Sequence, residues 1–348
     1  MEQRLYDKPF KTYDEQIEIM ESRNIIINNH DFAKKVLSGL SYYTIVNGYK
    51  NTFLSVPNKD IFTKGTTFEN LYTLHIIDTN LNSVILKNIL FLERYLKTRI
   101  SYLVSQKYGV YTDKNDLSNT NPQDYLYRGY YSNSSKGRNN ILKSIKKSLC
   151  SEHINPSVAH YANSKNHVPA WILVSTISFG LTIKWYNILK AADKTELCLQ
   201  FINSSILSIE EQKEFLNKSL NLLREFRNKI AHGNRTFNVY NLPVLPKKAL
   251  INLSYQIITN EEYNTGLGKN DIFAVIIICF ILINDRYILT NFFNDLQYIL
   301  KPYEHITMNG KSIFRIFNLP ENIFKRLYNL LYYRFSPELQ SEQPNPSG

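Results

Sequence analysis

The sequence predicts an all-α protein, and three observations carry that expectation. Apolar residues recur at intervals of three and four over most of the 348 residues, the period of an amphipathic helix. Two-residue alternation bounded by turn residues, the mark of a half-buried strand, is scarce. Pro and Gly, twelve of each, fall mostly between the periodic segments. A composition that is 43% hydrophobic and 13% aromatic, with 25 Tyr, belongs to a chain that buries a core and not to a disordered one. The length admits two ordinary domains or one extended helical core.

Taken in order, the periodic segments predict helices over about 13–22, 29–40, 67–107, 136–152, 168–190, 209–232, 269–300 and 321–334. The stretch Asp113 to Arg138, DKNDLSNTNPQDYLYRGYYSNSSKGR, is rich in Asn, Ser, Asp and Gly and reads as a long surface connection, or the mobile edge of a binding site. TFNVYNLPVLPKK is a second break, before the C-terminal third. The longest apolar run, IFAVIIICFILI from Ile272 to Ile283, is shorter than the ~20 residues that cross a bilayer, so it reads as a buried helix and no membrane association is expected. SPELQSEQPNPSG reads as a frayed tail. The expected organisation is a helical domain over 1–240, a helical extension over 241–335 and a flexible tail over 336–348.

Forty-one Lys and Arg against thirty Asp and Glu leave a formal charge of +11, which concentrates a polyanion near the surface and makes nucleic acid the leading candidate partner. Cys150, Cys198 and Cys279 fit neither a disulfide framework nor a zinc spacing, in keeping with a reducing cytoplasm. The first residues lack the apolar core of a signal peptide. No Gly-rich phosphate loop ending in Lys-Ser/Thr and no Gly-x-Ser-x-Gly elbow is present, so NTPase and hydrolase classes lack support. His153, His160 and His167 are spaced by seven, but Pro156 interrupts the helix and no Cys or carboxylate completes a set; no metal and no cofactor is expected. The tyrosines could stack on bases, although an AT-rich genome accounts for their number equally well.

The stretch that carries chemistry is EEQKEFLNKSLNLLREFRNKIAHGNRTFN. Phe215, Leu216, Leu220, Leu223, Phe226 and Ile230 form one apolar helical stripe, and Gly233 is a natural helix stop, which places His232 in the final turn. There the negative end of the helix dipole favours the protonated imidazole. Arg227 adds a permanent cation able to grip a phosphate through two parallel hydrogen bonds, so the pair suits a phosphodiester. Asn228 and His232, four apart, share a face, and Asn228 could orient the imidazole. Arg227 and His232, five apart, diverge by about 140°; a second copy of the helix packed opposite would bring both to one phosphate, which predicts a functional homodimer. Taken alone, an Arg and a His at this spacing more often form an ordinary helix-end pair making surface hydrogen bonds. Arg224, Lys229 and Arg235 flank the pair as candidate RNA contacts, and Lys143, Lys146 and Lys147 in ILKSIKKS form a basic face that could track an RNA backbone or simply be solvated. Glu93 is expected in an exposed pair with Lys97, with pairing to Arg227 as the alternative.

RNKIAH resembles the Arg-x4-His motif of HEPN ribonucleases in the RN-x-x-AH form typical of the Abi family of phage-resistance proteins, the AbiD/AbiF-like group. LSGLSYYTIVNGYKNTF resembles that family's tyrosine-rich box, FTKGTTFENLYTLHIIDTNLNSVILKNILFLERYLKTRISYLV its Gly-Thr-x-Phe box and long helix, and VPAWILVSTISFGLTIKWYNIL its Trp-led helix with a Phe-Gly pair, here Trp171, Phe179 and Gly180. The boxes span about Ile25 to Asn238. Asp78 is followed by TNLNS where the family usually has Leu-Arg. The resemblance implies a HEPN-like helical bundle with added N- and C-terminal helices, a dimer across the motif helix, and metal-independent RNA cleavage that shuts down a phage-infected cell, with Arg227, Asn228 and His232 as the catalytic residues. Some AbiF-like members are linked to a partner non-coding RNA, so a toxin held by a cognate RNA, or a non-catalytic RNA-binding HEPN module, is the alternative.

Overall fold

The computed structural model describes residues 7–56, 59–150, 155–165, 167–233, 235 and 241–336. Over these residues the all-α expectation holds. The chain forms helices α1 (Tyr13–Ser22), α2 (His30–Leu40), α3 (Gly48–Phe53), α4 (Phe68–Tyr108), α5 (Arg138–Lys147), α6 (Pro156–Ser164), α7 (Ala170–Leu173), α8 (Phe179–Ile188), α9 (Ala191–Leu199) and α10 (Ile209–Ala231). After these come α11 (Lys247–Leu253), α12 (Asn260–Thr265), α13 (Ile272–Leu282), α14 (Arg286–Leu300), α15 (Ile313–Ile316) and α16 (Ile323–Phe335). The only sheet among the described residues is a hairpin of two antiparallel strands, β1 (Thr307–Met308) and β2 (Lys311–Ser312). No helix among the described residues is long and apolar enough to cross a membrane.

Strong periodicity gave accurate bounds. Along α4, Leu71, Leu74, Ile77, Leu81, Ile85, Ile89, Leu92, Leu96, Ile100 and Leu103 are fully buried, and their steps of three and four keep one face apolar over about 60 Å of helix. Two expected helices are interrupted. The 168–190 segment divides into α7 and α8 because Ser178 accepts from Leu181 N at 3.2 Å and caps a new helix. The 269–300 segment divides where Asp285 accepts from Ile288 N at 3.0 Å and starts α14. In both, a side chain that satisfies orphan amide donors overrides an uninterrupted apolar pattern. The short helices α3, α6, α9, α11, α12 and α15 escape the sequence reading because fewer than three turns show little period.

The chain divides into two compact units. The first comprises Met1–Val84, Arg235–Asn238 and Asn294–Ile323; α1 packs on α2, and a π-helical turn, Tyr43–Asn47, leads directly into α3. The second comprises Ile85–Asn234, Val239–Phe293 and Phe324–Gly348. Its centre is α13, every residue of which is buried, as the apolar run predicts. Against it packs α10, which also touches α8, α9 and α11.

The 113–138 connection departs from the expected free surface loop. Its Asp124 is completely buried and accepts from Thr112 Oγ1 at 3.0 Å, Asp113 N at 2.9 Å and Leu126 N at 2.7 Å. Tyr125 and Tyr131 are buried beside it; Tyr131 donates to Tyr125 O and accepts from Trp185 Nε1 at 3.1 Å. Polar composition reads as solvent exposure, but here the Asp124 carboxylate and the two tyrosine hydroxyls find their hydrogen-bond partners inside the fold.

Candidate functional site at the end of the motif helix

Helix α10 begins at a capping box in which Ser208 and Glu211 satisfy each other's backbone amides. Phe215, Leu216, Leu220, Leu223 and Phe226 are fully buried, and Ile230 is half-buried, so the predicted stripe clamps the helix and its last turn opens to solvent. The helix ends one residue earlier than expected. His232 is its C-cap, with its amide donating to Asn228 O at 3.1 Å, and Gly233 follows in the left-handed region at φ 69°, donating to Ile230 O at 2.9 Å. Gly233→Ala forces a Cβ into that conformation, and we expect a loss of about 1 kcal/mol, read as a small drop in unfolding midpoint, with fraying at His232.

His232 and Asn228 are both exposed, and among the described residues no hydrogen bond joins the imidazole to Asn228, so the orientation expected from their spacing is not made within one chain. Arg227 is held from behind. Its side chain is 38% exposed, but its Nε is sealed from solvent without a hydrogen-bond partner and lies 3.8 Å from Glu93 Oε2. Glu93 pairs with Lys97 at 2.8 Å as well. The expected i,i+4 pair therefore forms, but with a buried Glu93 and a half-buried Lys97 rather than exposed, and with Arg227 as the second cation on the same carboxylate. That contact anchors the guanidinium at its stem and leaves its terminal amino groups without an ion pair among the described residues. The arrangement is electrostatically apt, because the helix C-terminus carries about half a negative charge that repels a phosphate unless cations offset it.

The flanking candidates separate. Arg224 is half-buried, bonded to Glu225 at 2.6 Å, and its stem lies 3.3 Å from where a Cβ on Gly180 would stand, so a larger residue at 180 would require the Arg224 side chain to shift. Lys229 is half-buried, while Lys143 and Lys147 are exposed. Lys146 is a correction to the basic-face reading. Completely buried, it pairs with Asp124 at 2.7 Å and donates to Asp116 O at 2.7 Å, so it is withdrawn from any RNA backbone. Arg235 belongs to the first unit. Burial pushes the Cys198 thiol up to about 12, which leaves it protonated and unreactive at neutral pH. His153 lies outside the described residues, His160 is exposed, and no group of three or more His, Cys, Asp or Glu among the described residues could hold a metal.

Sequence reasoning passed over a polar cluster of the first unit, Tyr49, His75, Asp78 and Asn82. The signal was present: 75, 78 and 82 are separated by three and four and share one face of α4.

Together these features define a helical protein whose motif helix carries an anchored arginine and an exposed, helix-ending histidine. Residues 35–238, more than half of the chain, match the family model described as Abi-like protein, and the chain belongs to that family. Membership points to an abortive-infection role. No curated protein and no solved structure matches the chain.

Proposed function

We propose that this chain is a HEPN-type endoribonuclease of an abortive-infection system, cleaving RNA without a metal ion. One observation carries the reading: Glu93 braces the Arg227 stem while His232 stands exposed at the end of the same helix. A ribose 2′-hydroxyl attacks the adjacent phosphorus; the 2′-O–P bond forms and the P–O5′ bond breaks, giving a 2′,3′-cyclic phosphate and a 5′-hydroxyl. His232 takes the 2′ proton or returns one to the 5′ oxygen. Arg227 stabilises the negative charge on the pentacoordinate phosphorus. One imidazole cannot perform both transfers at once, and a second copy of the chain, packed motif helix to motif helix, supplies the other.

The test is cleavage of end-labelled RNA with excess chelator. Wild type should yield cyclic-phosphate ends at an unchanged rate, and Arg227→Ala should lose about 10²- to 10³-fold. Cleavage that needs a divalent ion, or that survives Arg227→Ala intact, rejects the proposal. Absence of cleavage with retained RNA binding would instead identify a regulatory RNA-binding module.

A further inference from the structure

The polar cluster of the first unit has chemistry of its own. Tyr49, on α3 and 2% exposed, donates its hydroxyl proton to Asp78 Oδ2 at 2.9 Å and lies 3.1 Å from His75 Nδ1. A phenol has one proton to give. With it committed to Asp78, the contact to His75 is a hydrogen bond only when Nδ1 carries the proton, so the imidazole is held with Nε2 as a bare acceptor. Asn82 donates to the other Asp78 oxygen at 3.1 Å, which orients the carboxylate. Burial and the nearby Arg235 charge hold His75 below the usual histidine range, so it is neutral at pH 7. Its Nε2 has no hydrogen-bond partner among the described residues.

Arg235 completes the cluster. Its Cζ stands 5.4 Å from the Tyr49 ring centroid, and its Nε would lie 2.9 Å from a Cβ on Gly48. The absence of a Cβ at Gly48 therefore leaves room for the guanidinium beside the backbone and near the ring. It makes no hydrogen bond or ion pair among the described residues. His75 stacks edge-on against the same tyrosine, 5.8 Å between centroids. One aromatic ring thus carries a permanent cation and a neutral acceptor nitrogen.

We propose that Arg235 and His75 form a ribonucleotide-recognition pair, Arg235 gripping an internucleotide phosphate and His75 Nε2 accepting a hydrogen bond from a ribose 2′-hydroxyl. The pair distinguishes RNA from DNA, because the 2′-hydroxyl is the donor that DNA lacks. That RNA is the occupant rests on the nuclease proposal; the phosphate-plus-hydroxyl chemistry rests on the cluster alone. Tyr49 and Asp78 are positioning residues that hold the His75 tautomer.

The experiment measures binding, not cleavage, in full-length His232→Ala protein, with a short single-stranded RNA and the DNA of the same sequence. His75→Leu should weaken RNA binding by at least about fivefold and leave DNA binding unchanged. Arg235→Gln should weaken both equally and reduce the salt slope by about 0.7. An unchanged RNA-to-DNA affinity ratio in His75→Leu overturns the proposal. Should that variant not fold, the nitrogen NMR signal of His75 Nε2 in the His232→Ala protein decides: it shifts with RNA and not with DNA, and a signal unmoved by saturating RNA overturns the assignment. If the wild type does not cleave RNA, the nuclease reading fails while these binding outcomes still stand or fall by themselves.

Discussion

His232→Ala is expected to reduce RNA cleavage by 10²- to 10⁴-fold, the range that a positioned proton-transfer group supplies, without measurable loss of stability. The two halves follow from the same geometry. The imidazole is exposed beyond the clamped part of α10, and the contacts that shape the helix end are made by the His232 backbone to Asn228 and by Gly233 to Ile230. An alanine keeps both. The unfolding midpoint should therefore match wild type within about 0.5 kcal/mol. Parallel measurement of single-turnover cleavage and thermal unfolding checks this. A variant that cleaves at the wild-type rate would leave His232 as a helix cap and nothing more, whereas one that is inactive only because it has unfolded would show it in the melt.

Lys146→Ala is expected to do the reverse, destabilising the chain by about 3–5 kcal/mol, the range for breaking a buried ion pair from one side. Asp124 would keep its bonds from Thr112, Asp113 and Leu126 but would carry its negative charge uncompensated in the interior. The 113–138 segment is organised around that carboxylate, so the loss should spread to Tyr125 and Tyr131. Urea denaturation followed by fluorescence measures the change. Adding Asp124→Asn to Lys146→Ala should recover part of the loss, since neutralising the stranded charge removes its cause. If Lys146→Ala leaves stability unaltered and weakens RNA binding instead, the burial argument is wrong and the basic-face reading returns.

The contrast between these residues shows how far the sequence could be read. The all-α class, the bounds of α1, α2, α4 and α10, the buried α13 and the stop at Gly233 were legible because each depends on a local pattern: a helical period repeated over many turns, or a glycine where the backbone turns left-handed. The resemblance of the boxes, and with it the family shown by residues 35–238, was legible for the same reason of local order.

What the sequence could not determine depends on which neighbours arrive from elsewhere in the chain. Lys143, Lys146 and Lys147 look alike in sequence; only Lys146 meets Asp124, and that one contact turns a candidate RNA ligand into a buried ion pair. Glu93 announces a pair with Lys97 by its spacing and offers Arg227, on a helix more than a hundred positions later, as the alternative; only the packing shows that one carboxylate faces both. Arg235 reads as one more flanking cation until Gly48 and Tyr49 are found beneath it. Local periodicity decided which segments are helices and which face is apolar; long-range packing decided which charges are paired inside the fold and which stay exposed at its surface, because the energy of a charge is set by its surroundings and not by its place in the chain.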